Sequence, residues 1–583
     1  MSFLPSSCHR VVPGLHRRRT WAPVMAWLIA CLLTPATLSV QATAAEKVIA
    51  VVAVDGYADL KQQIRWVGTL VGNPALDGLA ESFIMMATQF KGLAGLDVDR
   101  PAGIVVTATD DMPAIHGYVP VKDLGKLLGA LAGVIGPAEQ RDGGWRISPP
   151  AGPAIDVVEK DGWAIFAQQG AGGGPADPTA SFEPIVKSFS LGAQVFPSAM
   201  PKGMLAQLEA AAAQAATSAA EQGQPVDAAA LAAMIANLQQ TESLLLGVHI
   251  DQSKERVYLE TRAVMTPEST GATIWADAGR TKLTIAAPPA ANGKAAAVRA
   301  HHVQAVSPAA RAAVEEAITR GLPADSSDPV SQAVFGLLKS LSGAMLDAGG
   351  IDAALTVDTS AAGSDRPIPA ITAGMRVKDG AALEKSIKQQ LGKEGVLPPN
   401  VSVTFDAGTA GTATLHEIKV DLQGLPDAEK LGGAVVLTLA IAPEHAYLMA
   451  GDDITARLAA MQNAAGSIDP ALKPLTGVDV SLAAILTYLA DVQKKFMPDD
   501  PNAPLVAAVA REAADRPATL LQLLVRPIER GVAARISADG GAIQTIAALV
   551  TASQPQPPGG LGGAGIDFEL PPGAAPGLPA LPK

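Results

Sequence analysis

The same order of elements runs twice along this chain, and a repeat of that kind constrains the architecture more than any single motif. Asn73-Pro74 returns as Asp328-Pro329 at an offset of 255, each expected to cap and open an amphipathic helix that follows a shorter one. Val121-Lys122-Asp123 returns as Val377-Lys378-Asp379 at an offset of 256, each joining a strand to a helix. The strand with Gly162-Trp163-Ala164-Ile165-Phe166 has its counterpart in Ala446-Tyr447-Leu448-Met449. The hairpin at 245–264 has its counterpart at 520–538, with Glu529-Arg530-Gly531 at the turn where the first has Lys254-Glu255-Arg256. Offsets drift from 255 to about 275, as loop insertions make them. The expectation is an α+β fold of two related modules, 45–280 and 281–552, each a mainly antiparallel sheet with amphipathic helices packed on one face.

Local patterns place the elements of the first module. Lys47 to Val54 is an apolar strand. Tyr57, Leu60, Ile64, Val67 and Val71 fall at helical steps, as do Leu76, Leu79, Phe83, Met86 and Phe90, so each set forms one apolar face. Strands are expected at 103–109, 114–121, 145–148 and 155–167, a helix capped near Asp123, and Ala-rich helices at 204–221 and 228–238. In the closing hairpin Val257, Leu259, Thr261 and Ala263 alternate with Tyr258, Glu260 and Arg262, which predicts one buried face and one wet face.

Residues 1–44 carry Arg10, Arg17, Arg18 and Arg19 with no acid, then a mostly apolar stretch from Trp21 to Val40, then Ala42-Thr43-Ala44. A basic segment, an apolar segment and a small-x-small site predict a signal peptide cleaved after Ala44, hence a protein exported to the periplasm, the cell envelope or beyond it. Cys31 in Leu28-Ile29-Ala30-Cys31 offers a lipoprotein-type alternative. Without the signal, 40 basic residues face 56 acidic ones, a net charge of −16 that disfavours nucleic acid and anionic lipid as partners. Both cysteines, Cys8 and Cys31, lie inside the signal, so no disulfide, thiolate metal site or cysteine nucleophile is expected afterwards. No later apolar run has membrane-spanning length. The segment 553–583, rich in Pro and Gly, holds too few apolar groups to offset ordering and is expected to be disordered.

Chemical motifs fail on context. Gly560-Leu561-Gly562-Gly563-Ala564-Gly565 spells a dinucleotide fingerprint but sits in the Pro/Gly segment, not between a strand and a helix. Gly170 to Gly174 lacks phosphate-loop spacing, no Gly-Lys pair is followed by Ser or Thr, and neither a Gly-x-Ser-x-Gly elbow nor a Ser-x-x-Lys pair occurs. His301 and His302 are adjacent on an expected strand and point to opposite faces, so they do not chelate one ion together; His116, His249, His416 and His445 are scattered. Asp97 and Asp99 begin a calcium-like spacing that Pro101 breaks, and Asp110-Asp111, Asp452-Asp453 and Asp499-Asp500 read as turns. No catalytic, cofactor or metal residue is assigned.

The run Gly95-Leu96-Asp97, Arg100-Pro101-Ala102-Gly103, then Gly117-Tyr118-Val119-Pro120-Val121-Lys122-Asp123-Leu124 and Lys160-Asp161-Gly162-Trp163-Ala164 resembles a group of exported, Ala-rich proteins of unknown function from planctomycete-type bacteria. The second module lacks the Gly-Trp and Arg-Pro signatures, and the resemblance implies no activity. The functional expectation is a non-catalytic binding or scaffold protein of the cell envelope, its partner an envelope protein or a small apolar ligand. The alternatives are a carrier of apolar small molecules or lipids, suggested by Phe83-Ile84-Met85-Met86, and an unrecognised hydrolase.

Overall fold

The computed structural model describes residues 47–108, 113–149, 153–168, 174–175, 177–221, 238–279, 283–287, 296–306, 311–312, 315, 329–359, 368–393, 395–423, 428, 432–464 and 475–553. The expected signal peptide, nearly all of the helix expected at 228–238, the Asp110-Asp111 pair and the Pro/Gly segment past Ser553 lie outside the described residues.

In chain order the first half runs β1 (Lys47–Val54), α1 (Tyr57–Leu70), α2 (Leu76–Ala87), β2 (Ala102–Ala108), β3 (Pro113–Pro120), α3 (Leu124–Ile135), β4 (Ala138–Arg141), β5 (Gly144–Ile147), β6 (Ile155–Lys160), β7 (Trp163–Gln168), α4 (Thr179–Val186), β8 (Leu191–Val195), α5 (Lys202–Glu221), β9 (Thr241–Asp251), β10 (Arg256–Met265) and α6 (Thr270–Ala278). The second half runs β11 (Val298–Ala305), α7 (Pro329–Asp347), β12 (Gly350–Asp358), β13 (Ala370–Arg376), α8 (Gly380–Leu391), β14 (Val401–Ala410), β15 (Ala413–Asp421), β16 (Ala434–Ile441), β17 (His445–Ala450), α9 (Ile454–Ala464), β18 (Thr476–Ser481), α10 (Leu482–Phe496), α11 (Ala503–Asp515), β19 (Leu520–Ile528), β20 (Gly531–Asp539) and α12 (Gly540–Ser553).

Among the described residues all strands join one sheet, and every pairing is antiparallel. From edge to edge the order is β4-β5-β6-β7-β3-β2-β1-β8-β9-β10 and then β20-β19-β18-β11-β12-β13-β17-β16-β15-β14. Adding ten to each strand number of the first series reproduces the second in reverse. The join is the β10–β20 pair, with Arg256 opposite Asp539 and Val264 opposite Gly531.

Asp123 and Asp379 hold the same position in that order, after β3 and after β13. Each is the N-cap of the next helix, with φ/ψ of −159/99 and −147/98, and each accepts a backbone N–H three residues on, from Lys126 and Ala382. An extended residue with a short carboxylate satisfies one of the orphan donors of a helix start.

Helices lie on both faces of the sheet, not on one. In the first half, Leu124, Leu127 and Leu128 of α3 pack with Val157 and Ala164 on face A, while Phe182 and Ile185 of α4 pack with Val51, Ala53, Val105 and Tyr118 on face B. In the second half α8 meets Leu439 and Ala446 on face A, and Leu458 and Met461 of α9 meet Ala354, Ala440 and Tyr447 on face B. The reason is that the strands under them carry apolar residues at successive positions, so both sides of the pleat need cover. Tyr118, Trp163 and Phe182 meet edge to face at centroid distances of 5.9–6.4 Å, each buried ring contributing about 1.5–3 kcal/mol.

The residues that carried the resemblance converge here. Arg100 lies 4.2 Å from the Trp163 ring centroid and donates to the Gly162 carbonyl at 3.1 Å, while Lys122 and Asp123 donate their backbone N–H groups to Gly95. They clamp the segment before β2 onto the start of α3.

Three further expectations change. Asn73 does not cap α2: the chain turns through 73–75, and Ala75 precedes the helix with no side-chain cap. The stripe Leu79, Phe83, Met86 and Phe90 faces solvent, Phe83 at 68% and Phe90 at 78% exposure, because α2 packs on α1 and only lightly on α3. In the β9–β10 hairpin the alternation holds, but the buried member is Glu260, at 0%, while Leu259 is 39% exposed. Glu260 is covered by Arg262 and Arg535, which hydrogen-bond its two oxygens.

Candidate functional site

A cavity of about 560 Å³ opens on face A of the second half. Its floor is built from small residues, Ala300 of β11, Ala353 of β12, Ala373 of β13 and Ala446 of β17, which leave room where larger side chains would meet the helices above. Its walls are Leu355, Met375, Leu439 and Leu448, with Leu341 of α7 and Leu391 of α8 closing over it. The volume lies within the range of small-molecule sites.

The floor continues a longer feature. Residues directly opposite in antiparallel strands share a face, and the register connects Val54, Leu191, Val248, Leu259, Ile536, Leu523, Val478, Ala300, Leu355, Ala373, Leu448 and Leu439 across twelve adjacent strands. Every member is apolar. Leu191, Leu259, Ile536 and Leu448 are exposed, so the row forms an open apolar track that crosses the join and ends in the cavity. On face B the row through Tyr258, Ser537, Gln522, Asp479, Arg299 and Thr356 is largely polar, with Gln522 donating to Asp479 at 3.0 Å. Along these two rows face B carries the polar side chains and face A the apolar ones.

At one edge of the cavity the next row places His302 beside Thr476, Nδ1 to Oγ1 2.8 Å, while His302 Nε2 lies 3.3 Å from the exposed Gln304 Oε1. His301 points to the other face, its ring against Gly477, and burial lowers its pKa. The two adjacent histidines thus stand on opposite sides of β11.

The remaining histidines occupy separate places. His116 is buried with Nε2 3.2 Å from Thr107 Oγ1, the His249 ring lies tilted against Tyr258 at a centroid distance of 5.0 Å, and His445 Nε2 lies 3.3 Å from Thr284 Oγ1. His416 joins a grouping that sequence reasoning missed, because its members come from three elements: Glu384 of α8, Asp406 of β14 and His416 of β15 offer ligand atoms within 4.8 Å of one another. Asp406 sits at φ 56 in the irregular part of β14, which aims its N–H at His416 Nδ1, 3.0 Å away. That N–H makes Nδ1 the acceptor, so the neutral ring carries its hydrogen on Nε2 and has no lone pair there for a metal. Lys388 already supplies a cation, donating to Asp406 at 2.7 Å and lying 2.8 Å from Glu384. Lys388 bridges the two carboxylates, and with the ring neutral the group keeps a net charge of −1. Burial lowers the pKa of His416, and the hydrogen bond from Lys388 holds the Asp406 carboxyl below its usual range.

The acidic pairs serve turns and ion pairs. Asp97 and Asp99 flank Lys122 at 3.2 and 3.9 Å, Asp453 turns the chain into α9 at φ 55, and Asp500 accepts from Asn502 ahead of α11. Among the described residues no helix is long and apolar enough to cross a membrane.

The class these features define is an α+β protein built on one antiparallel sheet with an apolar cleft. No protein-family model, no curated protein and no solved structure matches the chain.

Proposed function

We propose that this chain is an exported, non-catalytic binding protein of the bacterial cell envelope whose ligand is a small apolar molecule or lipid. The observation that carries the reading is the twelve-residue apolar row that crosses the sheet and ends in the 560 Å³ cavity. Apolar surface left open on one sheet face costs stability unless something occupies it, and exposed contiguous apolar patches mark binding surfaces. The basic, apolar and small-x-small pattern of residues 1–44 supports export.

We read the chain further as a tandem duplication of one module, 45–280 and 281–552. Support comes from the strand order that repeats with ten added, from the shared capping of Asp123 and Asp379, and from the sequence offsets. Among the described residues, the cavity that meets the row lies under helices of the second copy.

Native mass spectrometry of the full chain purified from its own envelope, with Nile red binding as a second readout, tests the binding reading. A bound apolar adduct and saturable dye fluorescence are expected, both lost in Ala373→Phe, which fills the cavity floor. Absence of adduct and of saturable dye binding overturns it.

A further inference from the structure

We infer that the cavity takes a single-chain amphiphile with an uncharged hydroxyl head, a long-chain alcohol or its like, seated with that head on Thr476; this rests on the apolar-binding reading above. The cavity of about 560 Å³ is of small-molecule size, and its apolar walls suit a hydrocarbon chain. The residues around it include no Lys, Arg, Asp or Glu. A carboxylate or phosphate head drawn inside would therefore stand without a counter-charge, which is costly in an apolar site.

The polar end has a defined polarity. Gln304 Oε1 is only an acceptor, so His302 Nε2 carries the hydrogen and donates to it. His302 Nδ1 is then bare and accepts the hydroxyl hydrogen of Thr476. With its hydrogen committed, Thr476 Oγ1 presents lone pairs, and the complementary head is a donor. A hydroxyl donates to that oxygen; an ionised acid, which only accepts, does not. The two other polar residues of the lining, His301 and Tyr447, belong to face B, where Tyr447 packs with Ile285 and Met461. One hydrogen-bonding position at one end of an otherwise apolar space specifies a one-headed ligand.

The test uses the full chain at pH 7.5, with 1-dodecanol, dodecanoate and dodecane displacing Nile red. Dodecanol is expected to bind at least about 10-fold more tightly than dodecanoate. Thr476→Val should weaken dodecanol by about 3- to 10-fold, the range of one net hydrogen bond, and leave Nile red and dodecane unchanged, while Thr476→Ser keeps the preference. Dodecanoate binding as tightly as dodecanol, or dodecanol indifferent to Thr476→Val, overturns the head-group inference and leaves the binding reading standing. If Thr476→Val does not fold, the alcohol-to-acid ratio of the unaltered chain decides alone. Failure of Nile red and all three probes to bind overturns the binding reading itself.

Discussion

Glu260 of β10 lies directly opposite Arg535 of β20, and each is the fifth residue of its strand. Two identical hairpins joined in this register would set this position against itself, acid against acid or base against base. Here the two positions are complementary. Burial pushes the Glu260 carboxyl up, but the hydrogen bonds from Arg262 and Arg535 outweigh it and hold the group below its usual pKa.

Removing Glu260 leaves two half-buried arginines without their acid, and removing Arg535 leaves buried Glu260 with Arg262 alone. Glu260→Arg and Arg535→Glu are each expected to cost about 1–3 kcal/mol, less than a fully buried pair because both arginines are about a third exposed. The double exchange should regain more than half of the summed loss. Urea unfolding of all four proteins gives the coupling, and a double variant no better than the sum of the singles refutes the pairing as a source of stability.

Gly531 opens β20, where an added Cβ would stand 2.0 Å from the Ala263 carbonyl oxygen. Backbone cannot yield as a flexible side chain does, so Gly531→Ala should separate β10 from β20 and destabilise by about 1–3 kcal/mol. Thermal unfolding reads the effect; an unchanged midpoint would show that the two strands tolerate separation.

Asp123→Ala and Asp379→Ala each remove one capping hydrogen bond, with an expected loss of about 1 kcal/mol apiece. The caps belong to distant helices, so the losses should add within about 0.5 kcal/mol. A double variant that departs strongly from the sum would mean that the two helix starts communicate.

Stability should fall as pH drops below about 6.5. Burial holds His416, His301 and His445 below their ordinary pKa, so through this window the unfolded chain takes up protons that the folded chain does not. Stability is therefore fully present above the unfolded pKa and declines below it, at up to about 1.4 kcal/mol per pH unit for each such histidine. Urea midpoints at pH 7.5 and 5.5 measure the slope, and His416→Gln should flatten it. Equal midpoints would contradict the burial of these rings as neutral groups.

Polar replacement of the α2 stripe, Phe83→Ser with Met86→Gln, should change stability by no more than about 0.5 kcal/mol per site, since both side chains already face solvent. A loss of several kcal/mol would place the stripe in a core.

Local periodicity was enough for the elements whose neighbours along the chain decide them. Lys47–Val54 is a strand as its apolar run requires, Asp123 caps a helix because an acid ahead of a periodic segment is a capping residue, and His301 and His302 diverge because a strand alternates. Amphipathicity identified a two-sided hairpin at 245–264 but not which side is covered, since that depends on strands hundreds of residues away. The tertiary structure buried Glu260 because Arg535 arrives from β20, and left Leu259 beside Ile536 exposed on the other face. The grouping of Glu384, Asp406 and His416 and the alanine floor of the cavity are likewise products of register between separate strands, which no spacing along the chain encodes. By itself the sequence determined the α+β composition and the order of many elements, because these follow from short-range sterics and hydrophobic period. Which apolar face stays open was decided only when distant strands paired.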